Sequence, residues 1–168
     1  MDKTLTSTIL SSIRDNRKRG SVGEFLRENI KTDADLAIVS AYFTIYAYQH
    51  LKPELESIDH LRFLFGEPTF IKSLDTSKTN KRDFKIADDK LVIPTNSRLS
   101  QKSVAKECSD WIENKVEIKS MVKPNFLHGK LYLVENTNGV NEATMGSSNF
   151  TVNGLGLGGS PNIELNMV

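Results

Sequence analysis

The feature that most constrains the fold of this chain is a series of short β-prone segments, the first two of which flank a helical segment. Residues 34–43 (ADLAIVSAYF) and 61–66 (LRFLFG) are apolar runs of the length of a buried strand. Between them, YQHLKPELESI is typical of a helix, although Pro53 limits its first turn. Later strand-like segments have the sequences VEIKSM, FLHGKLYLVE, EATMGS and IELNMV. This order of elements predicts an α/β fold in which helices flank both faces of a mixed β-sheet.

Several shorter patterns predict helices and turns. Leu5, Ile9 and Ile13 are spaced as one stripe of an N-terminal helix. Ser21 and Glu24 form a capping-box pattern at the start of GEFLRENI, and Asn138-Gly139 is a strong hairpin signal. Residues 67–97 are polar and basic, which favours a loop or short elements. A helix before the later strands is predicted by four apolar residues at helical spacing: Val104, Cys108, Trp111 and Ile112.

Size and composition are those of one globular domain spanning residues 1–168, since 38% of the residues are hydrophobic and 26% are charged. The net charge of +1 does not by itself indicate a nucleic-acid partner. Two local basic clusters are more informative, because such clusters can follow a phosphate backbone, although ordinary solvated surface is the alternative. The first cluster contains Arg14, Arg17, Lys18 and Arg19, and the second contains Lys72, Lys78, Lys81, Arg82 and Lys85.

The sequence predicts a cytoplasmic protein. Cys108 is the only cysteine, so the chain forms no internal disulfide, which suits a reducing compartment. The N-terminus lacks the apolar core and cleavage site of a secretory signal. The longest apolar stretch, Leu36 to Tyr46, is much shorter than the roughly 20 residues that span a bilayer. We therefore expect no association with a membrane.

The segment FLHGKLYLVE has the first residues with a chemical role. If it is a strand, His128, Lys130 and Tyr132 share one face, and the leucines that alternate with them form an apolar face that we expect in the core. The imidazole and the ammonium group are then ~7 Å apart along the strand, so both can contact one phosphate. Gly129 between them leaves room for a ligand to approach.

Two later segments add polar side chains of a complementary kind. Ser147 and Asn149 share a face in MGSSNFT and can donate hydrogen bonds to phosphoryl oxygens. Glu164 lies on the polar face of NIELNMV, with Ile163, Leu165 and Met167 on the other. A carboxylate that binds one ring nitrogen of a histidine fixes its tautomer and makes the other nitrogen more nucleophilic. If the strands are neighbours, these residues supply what phosphoryl transfer through a covalent intermediate needs without a metal.

These residues resemble the half-site signature of the phospholipase D superfamily. That pattern is H-x-K-x4-D, then G-S-x-N, then a glutamate on the next strand, and it corresponds here to His128-x-Lys130, Gly146-Ser147-Ser148-Asn149 and Glu164. Upstream, DLAIVSAYFT and LRFLFGEP are similar to the first strands of such domains in bacterial superfamily II helicases and related restriction nucleases. The resemblance implies a phospholipase D-like sheet.

The resemblance also implies roles for the site residues. His128 would form a phosphohistidine, Lys130, Ser147 and Asn149 would hold the phosphate, and Glu164 would orient His128. Two departures are visible: Glu135 stands where the pattern has aspartate, and the spacer before Gly146 is longer than usual. The aspartate is mainly structural in the family, so the first departure does not argue against catalysis.

A complete site in this family needs two such motifs, one histidine to attack and another to protonate the leaving oxygen. His50 and His60 lack the surrounding motif and are interpreted as surface or packing residues. We therefore expect a homodimer in which both copies of His128 face one phosphate. We also expect the chain to be the N-terminal part of a longer protein, with a helicase domain after residue 168. No metal-binding or nucleotide-binding motif is present, so no metal or other cofactor is predicted.

Three functions are compatible with this pattern. The first is a DNA endonuclease, a hydrolase acting on ester bonds, which the half-site and the basic clusters favour. The second is a non-catalytic module of a helicase that binds DNA or phosphate. The third is a lipid phosphodiesterase, which is disfavoured because the sequence has no membrane-surface amphipathic helix and no lipidation motif.

Overall fold

The computed structural model describes residues 12–65, 98–121 and 127–168. Three features predicted from the sequence lie wholly or partly outside these residues. They are the first part of the N-terminal helix, with Leu5 and Ile9, the second basic cluster, and the polar segment 67–97.

The described residues form seven strands and four helices. The strands are β1 (Ile13–Arg14), β2 (Asp35–Ser40), β3 (His60–Phe65), β4 (Val116–Ser120), β5 (Lys130–Glu135), β6 (Asn141–Gly146) and β7 (Asn166–Met167). The helices are α1 (Val22–Asn29), α2 (Ile45–His50), α3 (Lys52–Ser57) and α4 (Arg98–Lys115).

The seven strands form one mixed sheet in the order β1-β7-β6-β5-β2-β3-β4. The pairs β2–β3 and β3–β4 are parallel, and every other pair is antiparallel. Parallel neighbours need a crossover connection, and α2 with α3 provides it between β2 and β3. The predicted α/β class with a mixed sheet is confirmed.

One buried cluster forms the core, and it lies on one face of the sheet. Strand alternation directs Leu36, Ile38, Leu61, Phe63 and Tyr132 to this face. All four described helices contribute to the same cluster, with side chains that include Val22, Phe25, Leu26, Ala47, Tyr48, Leu55, Cys108 and Trp111. A second layer of helices on the other face, which the sequence analysis expects, is not among the described residues.

Several local predictions are confirmed by the structure. Ser21 Oγ accepts from the Glu24 N–H at 3.0 Å, and the Glu24 carboxylate accepts from the Ser21 N–H at 2.8 Å, which completes the capping box of α1. Gly139, with φ of 80°, turns the chain between β5 and β6. Trp111 is buried and donates its Nε1–H to the Leu55 carbonyl at 2.8 Å. Burial raises the pKa of the Cys108 thiol to about 12, in keeping with a small buried hydrophobe.

Three predictions about strands are wrong, concerning Ile13, the faces of β5 and the faces of the last segment. Ile13 lies in β1 and pairs with Met167 instead of continuing a helix. In β5 the core face carries Tyr132 and Val134, whereas Leu131 and Leu133, predicted to be in the core, are only half-buried. Tyr132 tolerates burial because its hydroxyl donates to the Ser148 carbonyl at 2.8 Å.

The last segment has the same reversal of faces. Asn166 is buried, while Ile163, Leu165 and Met167 are 77%, 63% and 61% exposed. Buried Asn166 is satisfied because its side chain accepts from the Ser148 N–H at 3.3 Å and donates to Ser148 Oγ at 2.9 Å. A polar side chain with a full set of partners thus takes the core position that the hydrophobic pattern gives to its neighbours.

Candidate active site

The predicted site residues converge at one end of the sheet, here called the site end. Lys130 at the start of β5 pairs with Gly146 at the end of β6, and Gly146 pairs with Asn166 at the start of β7. His128 precedes β5 by two residues, and Glu164 precedes β7 by two residues. Because these strand ends are hydrogen-bonded neighbours, residues far apart in the sequence meet within a few strand spacings.

His128 and Lys130 occupy the centre of the site end. His128 is exposed, and no described residue hydrogen-bonds its imidazole. The Lys130 ammonium donates to the backbone carbonyl of His128 at 2.7 Å, which holds the cation beside the histidine. A Cβ added at Gly129 would meet no atom of the described residues within 4 Å, so no described residue fills the space beside the two side chains.

Glu164 is bonded to Ser147 and Asn162 rather than to His128. The Ser147 hydroxyl donates to one carboxylate oxygen of Glu164, and Asn162 Nδ2 donates to the other at 3.2 Å. Ser147 Oγ also accepts from the Leu165 N–H at 3.0 Å. In this arrangement the serine positions the carboxylate, and its proton is not directed at a ligand.

Asn149 has an amide whose orientation is fixed from one side. Its Oδ1 accepts from the Ala41 N–H at 3.1 Å and from Ser40 Oγ at 3.3 Å. The oxygen and the nitrogen of an Asn amide point in different directions from the same carbon. Because Oδ1 is held by these bonds, the orientation of Nδ2 is also fixed, and Nδ2 has no described partner. The result is a preoriented N–H donor at the site end.

Ser40 connects the end of β2 to the Gly146–Asn149 loop, and the sequence analysis missed it. It is fully buried, and its Oγ accepts from the Phe150 N–H at 2.9 Å and from the Tyr42 N–H at 3.3 Å. Its signal in the sequence is slight: it is one polar residue that interrupts the apolar run from Ala34 to Phe43.

The glycine of the G-S-S-N motif is required by close packing of two strands. A Cβ on Gly146 would lie 2.1 Å from the Leu165 carbonyl oxygen and 2.7 Å from Asn166 Cα. No side chain fits there without moving β7, and β7 follows directly from the segment that carries Glu164. Gly146 therefore sets the separation between the Ser147 and Glu164 backbones.

Tyr132 lies beneath the site and stays protonated. Its burial, and secondly the negative charge of Glu164, raise the pKa of the hydroxyl well above its usual range. The hydroxyl is therefore a fixed donor to the Ser148 carbonyl and supports the loop from below. Tyr132 shares a face with His128 and Lys130, as predicted, but it is buried and has a packing role.

The other histidines do not join the site. His60 begins β3, and the parallel pairing of β2 with β3 puts that residue level with Asp35, at the end of the sheet opposite the site end. His50 is exposed at the last position of α2. Among residues 12–65, 98–121 and 127–168, no three His, Cys, Asp or Glu side chains are grouped as a metal ion would require.

Comparison with protein families identifies the type of domain. A protein-family model described as "Cardiolipin synthase, PLD-like domain" matches residues 49–168, which is more than half of the chain and includes all five predicted site residues. A search of curated proteins found no match. Within the part of the chain that the structure describes, no helix has both the length and the hydrophobicity of a membrane span.

Proposed function

Because the chain belongs to the phospholipase D-like family, whose members act on phosphodiesters, we propose that it is a metal-independent DNA endonuclease with His128 as nucleophile. The observation that carries the proposal is the convergence of an exposed imidazole, a tethered ammonium group and an oriented amide at the site end. These groups come from His128, Lys130 and Asn149. They are the components that stabilise a pentavalent phosphorus without a metal.

The reaction has two displacements at phosphorus. An imidazole nitrogen of His128 attacks, a P–N bond forms, and the bond from phosphorus to the leaving oxygen breaks as an acid protonates that oxygen. Water then attacks phosphorus and gives a proton to the group that had protonated the leaving oxygen. The P–N bond breaks, and His128 is released with a phosphate monoester on the product. Lys130 and Asn149 Nδ2 donate hydrogen bonds to the non-bridging oxygens and stabilise the negative charge that increases there in the transition state.

The acid in this proposal is His128 of a second copy of the chain. His60 lies at the opposite end of the sheet, and no described hydrogen bond joins the His50 side chain to a site residue. A twofold axis through the scissile phosphate would give each copy of His128 one role, nucleophile or acid. The chain is then active as a homodimer, and sedimentation at assay concentration should show a dimer. A monomer that retains full cleavage activity would exclude the shared site.

Cleavage of DNA in the presence of EDTA tests the proposal. We expect cleavage to persist in EDTA, to be abolished in His128→Ala and to be unchanged in His60→Ala, which removes a histidine at the opposite end of the sheet. Circular dichroism checks that both variants fold. Cleavage that needs a divalent cation, or that survives in folded His128→Ala, would refute the mechanism.

A binding module without turnover is a second candidate, and the Ser147–Glu164 pair favours it. The hydroxyl and the carboxylate satisfy each other, and Glu164 makes no hydrogen bond to His128. This candidate predicts salt-dependent DNA binding with no cleavage under any of the above conditions.

A lipid phosphodiesterase is a third candidate, favoured by the words cardiolipin synthase in the description of the family model. It predicts headgroup release from liposomes that contain anionic phospholipid, and loss of that activity in His128→Ala. DNA cleavage without headgroup release would exclude it.

A further inference from the structure

We propose that a single strand of nucleic acid crosses the site end, with a base stacked on Tyr42 on one side of His128 and a phosphate held by Lys18 and Arg19 on the other. This inference rests on the proposed phosphodiesterase site and adds the class of substrate and its path. It depends on two observations that are independent of the site residues themselves.

The first observation is the position of Tyr42. Ala41 donates its N–H to Asn149 Oδ1 at 3.1 Å, and Phe43 forms a β-bridge with Phe150. Tyr42 therefore lies between two residues that contact the segment carrying Asn149, at the site end. Tyr42 is 60% exposed and has no ring contact with a described aromatic residue. An aromatic face beside a phosphate site is what stacks an unpaired base.

The backbone that carries Tyr42 is held rigidly. Ser40 Oγ accepts from the Tyr42 N–H at 3.3 Å, and its one hydrogen is shared between the Tyr42 carbonyl, at 2.8 Å, and Asn149 Oδ1, at 3.3 Å. On the other side, the Thr44 N–H donates to the Phe150 carbonyl at 3.1 Å, and the Phe43 and Phe150 rings stack with centroids 5.0 Å apart. The backbone of Tyr42 therefore loses little conformational freedom on binding, which favours a recognition role for its side chain.

The second observation is the position of the basic turn, residues 17–20, which follows β1. Arg17 donates from its guanidinium to the Pro161 carbonyl at 3.3 Å, and the Glu164 N–H donates to the Asp15 carbonyl at 3.3 Å, so the turn adjoins the segment that carries Glu164. Lys18 and Arg19 are exposed, and neither forms a salt bridge with a described residue.

Asp15 gives this turn its shape and cancels one of its charges. Its carboxylate accepts from the Arg17 and Arg19 N–H groups at 2.8 and 3.0 Å. These bonds, first that from Arg19, lower the pKa of Asp15, and the positive charge of Arg19 adds to the effect. Because Arg17, Lys18 and Arg19 outnumber this one carboxylate, the turn has a net positive charge.

The sheet order sets the distance between the two features. From β1 to β2 there are four strand spacings, with β7, β6 and β5 between them, which is ~19 Å at the usual spacing of about 4.8 Å. His128 lies between the ends of this span. A lipid offers one headgroup phosphodiester with acyl chains, whereas a polynucleotide offers phosphates and bases at repeated intervals. The alternation of cation, reactive site and aromatic ring therefore fits a nucleic acid strand.

Binding of a single-stranded oligonucleotide tests the aromatic end of the path. The full chain carrying His128→Ala, which prevents turnover, is titrated into a labelled 12-nucleotide DNA and into an abasic strand of the same length. We expect Tyr42→Ala to weaken binding of the DNA about 5- to 100-fold and to leave binding of the abasic strand unchanged. Tyr42→Phe, which keeps the ring, should bind both strands like the parent.

Salt dependence tests the basic end. Removing one phosphate contact lowers the slope of log affinity against log salt by about 0.7 for a single strand. We expect this decrease in Lys18→Gln with both DNA and the abasic strand, and no decrease in Lys31→Gln, the matched control at the opposite end of the sheet. Lys31 is placed there by the hydrogen bond from its N–H to Asn136.

The outcomes separate the path from the reaction. Unchanged binding in both Tyr42→Ala and Lys18→Gln, or no binding of either strand by the parent, overturns the path. An equal loss in Tyr42→Ala with DNA and with the abasic strand also overturns it, because the effect would then not involve bases. If the variants behave as expected but the unsubstituted chain does not cleave, the path stands and the proposed reaction fails.

Discussion

Ser40→Ala should reduce both stability and cleavage, because one buried oxygen serves both. The change removes the acceptor of the buried Phe150 N–H, at 2.9 Å, and the one hydroxyl hydrogen that Asn149 Oδ1 shares with the Tyr42 carbonyl. An unsatisfied buried donor costs about 1–3 kcal/mol. At roughly 2–4 °C per kcal/mol for a chain of this size, Tm should fall by about 2–12 °C. The amide of Asn149, held by Ala41 alone, should lose its orientation, and kcat/KM should fall about tenfold.

Ser148→Ala is the matched control for this prediction. Ser148 is also fully buried, and its Oγ accepts from Asn166 Nδ2 at 2.9 Å, but it makes no bond to the side chain of Asn149. Its Tm should fall by a similar amount, with kcat/KM close to that of the parent when the assay is run well below the lower Tm. Thermal unfolding and steady-state cleavage measure the two quantities. The reasoning is refuted if Ser40→Ala is destabilised but cleaves like the parent, or if the two variants lose activity equally.

Three further changes have expected outcomes. Gly146→Ala should lower the free energy of unfolding by about 1–3 kcal/mol, because the new Cβ would lie 2.1 Å from the Leu165 carbonyl oxygen. Gly129→Ala, whose Cβ would meet no described atom, should change that free energy by less than about 0.5 kcal/mol but slow cleavage. Equal denaturation midpoints for the two variants would contradict this prediction. Thr144→Val should raise the free energy of unfolding by about 1 kcal/mol, since the buried Thr144 hydroxyl has no described partner; a lower Tm would show that the hydroxyl is satisfied. The pKa of Asp15 is lowered in the fold, so its stabilising effect is complete above pH 3.8 and is lost as pH falls through the lower folded value. The difference in urea midpoint between Asp15→Ala and the parent should therefore become smaller only below about pH 3.8. A difference that becomes smaller as the pH is raised would contradict this prediction.

The sequence was sufficient to predict the mixed sheet, and the candidate site residues meet at one end of it. Apolar runs at strand length identified β2 and β3, and the Asn-Gly pair identified the turn before β6. The motif spacing then brought His128 and Glu164 to the same end, because strands of a sheet that are neighbours align their ends.

The core face of β5 was predicted wrongly for a physical reason. His128 and Lys130 have the same parity as Tyr132, and the polar pair was read as the sign of a solvent face. His128 is exposed and Lys130 is only half-buried at the start of the strand, whereas Tyr132 is buried and its hydroxyl has a partner. Alternation fixes which residues share a face, but not where along the strand the core begins.

The network around Ser40 and Asn149 could not be predicted for another reason. Its bonds join residues more than a hundred positions apart, and their existence depends on strand order, which periodicity does not determine. The pairing of Ser147 with Glu164 is similar, because it depends on β7 lying beside β6. Such contacts become visible only when the sheet is assembled.

The central claim, a covalent intermediate on His128, is tested most directly by trapping that intermediate. The chain is mixed with a single-stranded oligonucleotide in EDTA, quenched at alkaline pH within the first turnover, and digested for mass spectrometry. The account predicts a nucleotide or phosphate adduct on the peptide that contains His128, absent from His128→Ala. Cleavage products without any such adduct, or an adduct on another residue, would contradict it.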